Sequence, residues 1–101
     1  MSKRMWKLEQ QLAVKRLGEL GHDTRMSVFR LLVQVGNKGL PVGEIQDRLS
    51  VSGPTLSHHI HRLIGAGLIR QERDGRTLYC FAELEALKDV VAFLDGECCT
   101  L

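Results

Sequence analysis

A single Asp-Gly pair, Asp74-Gly75, separates two short strand-like runs in a chain whose other segments carry helical stripes. Both residues accept the left-handed backbone of a type I′ turn, so the pair predicts a hairpin joining 68–73 to 76–81. With one hairpin and no other strand signal, sheet cannot dominate the fold, and helices must supply most of the core. The 101 residues predict one domain, spanning 1–101, with room for a modest core but not for a deep catalytic cleft.

The helical stripes are read in turn. From about Lys3 to Leu20, the residues Met5, Leu8, Leu12, Leu17 and Leu20 recur at helical spacing, and Gly21 ends the run. Asp23 or Thr24 then caps a second helix, in which Met26, Phe29, Leu32 and Val33 form the expected buried stripe. Gly36-Asn37-Lys38-Gly39 is a turn, because glycine and asparagine tolerate positive φ. Pro41 suits the first turn of a short third helix that turns Ile45 and Leu49 inward.

Ser50-Val51-Ser52-Gly53 makes a second tight connection, with Ser52 as cap of a fourth helix and Pro54 in its first turn. Leu56, Ile60, Leu63 and Ile64 form its apolar face, which leaves Thr55, His58, His59, His61 and Arg62 opposite. Gly65 and Gly67 close that helix. After the hairpin, Leu84, Leu87, Val91 and Leu94 repeat at helical spacing, with Val90 and Phe93 widening the stripe. A last helix striped this heavily suits packing against a second copy of the chain.

The order predicts a mainly α fold with a β-hairpin wing (α+β): a homodimeric winged helix-turn-helix, α1-α2-α3-α4-β-hairpin-α5. Residues 41–66 are its helix-turn-helix and 68–81 its wing, while 1–21 and 82–97 are the dimerisation helices.

Charge then says what the fourth helix faces. Between Arg48 and Gln71 there is no aspartate or glutamate, although acids occur freely on both sides. The window holds Arg48, Arg62, Arg70, three of the four histidines, and the hydroxyls of Ser52, Thr55 and Ser57. Carboxylates repel a polyanion, so their absence here points to a surface that meets phosphates. A helix preceding such a hairpin lies in the DNA major groove, where base edges distinguish all four pairs.

Its N-terminal residues reach deepest, which makes Gly53, Thr55, Ser57, His58 and His59 the candidates for base contact. Ser52, His61 and Arg62 are candidates for phosphate contact, and Arg70, Arg73 and Arg76 of the wing for a neighbouring minor groove or backbone. The expected partner is double-stranded DNA bearing an inverted repeat, bound by a two-fold dimer. The histidines also have spacing that permits metal ligation, but on this face DNA contact is the better reading. Aromatic residues, at 5% of the chain, are too few for stacking on single-stranded bases.

These residues resemble a known family. Asp23-Thr24-Arg25, Ser57-His58-His59-Ile60-His61-Arg62-Leu63, Ala66-Gly67-Leu68-Ile69 and Arg73-Asp74-Gly75-Arg76-Thr77-Leu78-Tyr79 look like the ArsR/SmtB family of bacterial winged-helix repressors. The resemblance runs roughly from Leu17 to Leu94. It implies a homodimer built on the first and last helices, repression of a promoter, and release when an inducer binds. Gly53 departs from the family pattern, which usually has a larger polar residue there.

The resemblance also implies soft-metal ligands at one of several alternative sites. The arsenic-sensing type needs cysteines near 42–46, and there are none; the zinc-sensing type uses aspartate and histidine along the last helix, where only Asp89 and Asp95 stand. Structural zinc is excluded because the cysteines lack paired spacing. Cys80, Cys98 and Cys99 remain, similar to the hairpin and C-terminal cysteines of some arsenic-responsive relatives.

Trivalent arsenic or antimony binds thiolates because both partners are soft. The last helix alone spans about 20 Å at 1.5 Å per residue, so Cys80 cannot share an arsenic atom with Cys98 or Cys99 of its own chain. The expected site therefore joins Cys80 of one protomer to Cys98, Cys99 or both of its partner. Oxidation or persulfidation of the same thiols is the alternative trigger.

No apolar run approaches the ~20 residues a membrane helix needs, and Lys7, Glu9, Gln10 and Gln11 interrupt any signal-peptide core. An odd cysteine count fits a reducing compartment, so a cytoplasmic protein without membrane partners is expected. The sequence has no phosphate-gripping glycine loop, no nucleophile motif and no organic cofactor motif, so it does not read as an enzyme.

Overall fold

The computed structural model describes residues 9–101. Five helices and a small sheet follow one another: α1 (Gln10–Leu20), α2 (Asp23–Val35), β1 (Leu40–Pro41), α3 (Val42–Leu49), α4 (Gly53–Gly65), β2 (Ile69–Asp74), β3 (Thr77–Ala82) and α5 (Leu84–Asp95). This is a winged helix-turn-helix, as expected from the order of stripes and hairpin. The early part of the first stripe, including Met5 and Leu8, lies outside the described residues.

The core is shared by every layer. Val28, Leu32, Ile45, Leu56, Leu63 and Leu68 are wholly buried, and the helices and sheet close around them. In α2 the stripe is rotated from expectation: Val28 is buried with Phe29 and Leu32, while Met26 is exposed. Its cap differs as well. His22 precedes the helix, and its Nδ1 accepts the backbone N–H of Thr24 at 3.2 Å. An imidazole nitrogen does what the Asp23 carboxylate or Thr24 hydroxyl is expected to do from the sequence.

The sheet has three strands in the order β1-β3-β2, all antiparallel, rather than two. Leu40 and Pro41 pair with Cys80 and Tyr79, so Pro41 ends a strand and caps α3 from outside instead of sitting in its first turn. Gly39 makes this possible. Its φ is +66, and a Cβ there would run into the Phe81 ring and the Cys80 carbonyl.

The hairpin register sets Asp74 opposite Thr77, which makes Gly75-Arg76 the two-residue loop. Gly75 has φ +63 and Arg76 does not share the positive sign, the pattern of a type II′ turn rather than the I′ turn expected from Asp-Gly. The consequence is a one-residue shift: the strands run to Asp74 and start at Thr77.

The terminal helices pack on each other and leave apolar side chains outside. In α5 only Ala86 and Val90 are buried, whereas Val91 is 51% exposed and Leu94 63%. In α1, Val14 and Leu17 are likewise exposed. Among the described residues, no helix is long and apolar enough to cross a membrane.

Candidate nucleic-acid interface

Helix α4 is positioned by four side chains. Leu56, His59, Ile60 and Leu63, at i, i+3, i+4 and i+7, are buried against α2 and the sheet. Pro54 in the first turn fixes the helix start, and the exposed residues Thr55, Ser57, His58, His61 and Arg62 point away from the core. Ser52 stands at the cap position but does not cap with its side chain; its hydroxyl donates to Thr55 Oγ1 at 2.9 Å. Gly53 is half-buried, and the space where its side chain would stand opens toward the Gln46 amide.

His59 corrects the sequence reading. It is 7% exposed, lies in tilted ring contact with His22 at 4.6 Å, and its buried Nδ1 has no hydrogen-bond partner. It belongs to the seam between α4 and the start of α2, so it cannot reach a base edge. Burial, reinforced by His22, Arg25 and His58, holds its pKa below the ordinary imidazole value. The spacing carried the signal, because position 59 completes the helical stripe of 56, 60 and 63.

Two arginines of the acid-free window are also engaged. Arg62 donates through Nε and Nη2 to the two carboxylate oxygens of Glu19 in α1, both at 3.0 Å. Arg70 lies at the root of the wing, bonded to Glu72 at 2.9 Å and Glu83 at 3.3 Å and stacked 4.5 Å over the Phe81 ring. Arg73 and Arg76 stand exposed at the far end of the hairpin, and neither pairs with a carboxylate of a described residue. Lys38 lines a shallow concavity together with Arg73 and Tyr79. No sequence signal marks it, because only the pairing of β1 with β3 brings that turn to the wing.

The comparisons with known proteins agree with this geometry. A family model described as a helix-turn-helix domain matches residues 20–72, which is more than half of the chain. YceK of Bacillus subtilis (strain 168), an uncharacterised HTH-type transcriptional regulator, is 30% identical over 71 residues, 70% of this chain and 70% of that protein. A solved ArsR family transcriptional regulator superposes with a TM-score of 0.75 at 26% identity, covering 89% of this chain and 90% of that one. The chain belongs to the ArsR/SmtB-type winged-helix transcriptional regulators. A third relative, a possible transcriptional regulator for arsenical resistance, has a TM-score of 0.70 at 26% identity over 81% of this chain and 82% of its own. Proteins of this family are double-stranded-DNA-binding regulators rather than enzymes.

The regulator's cysteines fall into two environments. Cys80 is wholly buried in β3, and its Sγ accepts the Gln71 side-chain N–H at 3.4 Å. Burial pushes its thiol pKa up, against a smaller opposing effect of Gln71. Cys98 and Cys99 lie exposed just past α5 with their sulfurs side by side, and Cys99 has φ +69. The three sulfurs are not brought together. A shared site with a partner's Cys98 or Cys99 would need Cys80 to reach the surface, and in this conformation the core seals it. No group of three or more histidine, cysteine or acidic side chains able to hold a metal ion occurs among the described residues.

Proposed function

We propose that this regulator is a repressor that binds an inverted-repeat operator as a homodimer in the cytoplasm, and leaves it when a trivalent arsenical or antimonite captures cysteine thiolates. The observation that carries the operator reading is the outward face of α4: Thr55, Ser57, His58 and His61 are exposed, and no acid stands between Arg48 and Gln71. A polyanion can approach that face without meeting a carboxylate of the helix, and the exposed Arg73 and Arg76 extend the contact along the backbone.

Dimerisation is supported by Val14 and Leu17 on α1 and by Val91 and Leu94 on α5, large apolar side chains left outside on two helices that pack together. Two copies would bury them and present two α4 helices to successive major grooves.

The inducer reading rests on Cys98 and Cys99. Reduced, they are neighbouring exposed thiols at the end of α5, beside the proposed dimer face. A singly alkylated arsenic carrying two hydroxides would form two As–S bonds there and release two waters. The bound arsenic would change the end of α5 and so bias the dimer arrangement that sets the spacing of the α4 helices. Cys80, sealed and with its thiol harder to ionise, is assigned to the core. A second reading, oxidation or persulfidation, rests on the same exposure and adjacency of the Cys98 and Cys99 thiols. In that reading two thiols lose two protons and two electrons to a peroxide, which becomes water.

One experiment separates these readings. A complex of the reduced protein with duplex DNA from upstream of its own coding region is titrated with arsenite, antimonite, methylarsenite, zinc and hydrogen peroxide. The expected result is release by the arsenicals, lost in Cys98→Ser and Cys99→Ser and retained in Cys80→Ser. Release by peroxide alone would favour the redox reading. Release by neither would refute both triggers while leaving the repressor intact.

A further inference from the structure

Glu19 reaches the flank of α4 from another helix, and its contacts are those of a tie. It stands in the last turn of α1 with its side chain 12% exposed. Its two oxygens accept the Nε and Nη2 protons of Arg62, a bidentate fork that fixes the guanidinium in plane. Arg25 of α2 lies 3.6 Å from the same carboxylate and donates to the Glu19 backbone carbonyl at 2.8 Å. A second link runs parallel: Arg16 of α1 donates to the carbonyl of Ala66, at the C-cap of α4, at 2.9 Å. The Arg62 fork is the main reason the Glu19 carboxyl titrates below the usual carboxylate range.

We infer that Glu19 is a positioning residue for DNA recognition: by holding Arg62 it fixes the angle of α4 against α1, and Arg62 serves this tie instead of gripping a phosphate. The inference rests on the reading that α4 enters the groove, and it adds how the helix is aimed. Arg62 leans from the DNA-facing side of α4 toward α1, and two of its N–H donors are already taken. A carboxylate 3.0 Å from the guanidinium repels the anion that a phosphate-gripping arginine would have to attract. Because α1 also carries the exposed Val14 and Leu17, the tie connects the proposed dimer face to the recognition helix.

The test uses the full chain and an upstream operator duplex, with affinity measured across a series of salt concentrations. Arg62→Ala and Glu19→Gln are each expected to weaken binding about tenfold, and the double variant to be no worse than either, because both remove one interaction. The slope of log affinity against log salt should stay at its wild-type value. Arg62→Lys, which keeps the charge but loses the fork, should fall with Arg62→Ala.

A phosphate contact gives the opposite pattern: Glu19→Gln would strengthen binding, Arg62→Lys would bind like wild type, and Arg62→Ala would reduce the slope by about one. Any of these results overturns the inference, as would single variants with unchanged affinity. If wild type itself ignores duplex DNA, the groove reading fails and takes the tie with it. If wild type binds and the variants disagree, only the tie fails.

Discussion

Helices α4 and α5 are both amphipathic, and what each leaves outside differs completely. Helix α4 buries Leu56, His59, Ile60 and Leu63 in the chain's own core and shows water an acid-free polar face. Helix α5 buries only Ala86 and Val90, while Val91 and Leu94, the last two members of its most regular stripe, remain outside. Apolar periodicity alone would treat them alike. The exposed remainder is what each helix offers a partner: an acid-free polar face on the first, apolar side chains on the second.

The contrast can be broken from either side. Leu63→Ala empties a wholly buried site under α4 and should cost about 2–5 kcal/mol of stability, read from denaturant unfolding. Leu94→Asp, on the exposed edge of α5, should leave the fold intact yet abolish self-association, with operator affinity falling about a hundredfold as two linked contacts become one. Sedimentation and DNA titration of the same sample check both parts; a monomeric wild type would remove the reason for α5's outer stripe. His58→Ala, on the outward face of α4, should cost about 1–3 kcal/mol of discrimination against altered operator bases while leaving unfolding unchanged.

The smallest effect concerns pH. The folded pKa of His59 is depressed, chiefly by burial, so the seam is stabilised by the neutral ring. That stabilisation is complete above the ordinary imidazole value near 6.5 and is lost as pH falls through the lower folded value. Thermal unfolding followed from neutral to mildly acidic pH should show wild type losing more stability than His59→Leu. An identical decline in both would mean His59 contributes nothing to the seam.

Much of the fold is legible in the sequence, for physical reasons that can be named. Hydrophobic period located all five helices, and the Asp74-Gly75 pair located the hairpin to within one residue. The slip arose because glycine satisfies the first position of a II′ turn as readily as a position of a I′ turn. β1 was not legible: a two-residue strand carries no alternation, and it exists only because Gly39 lets the chain approach Phe81 and Cys80. On α4, chemistry overrode geometry. By chemistry His59 groups with its polar neighbours, although its spacing belongs to the buried stripe. Arg62 reads as available because its acidic partner, Glu19, lies 43 residues away, and Arg70 because its partners, Glu72 and Glu83, stand just outside the acid-free window.

The pivotal contact is the proposed seating of the outward face of α4 and the tip of the wing on a phosphate backbone. Its most direct test is the salt dependence of binding to an upstream promoter duplex by wild type, Arg73→Ala and Arg76→Ala. Wild type is expected to lose affinity steeply with added salt, with a log–log slope shallower by about one unit for each arginine removed. Binding indifferent to salt, or slopes that ignore both arginines, would contradict it.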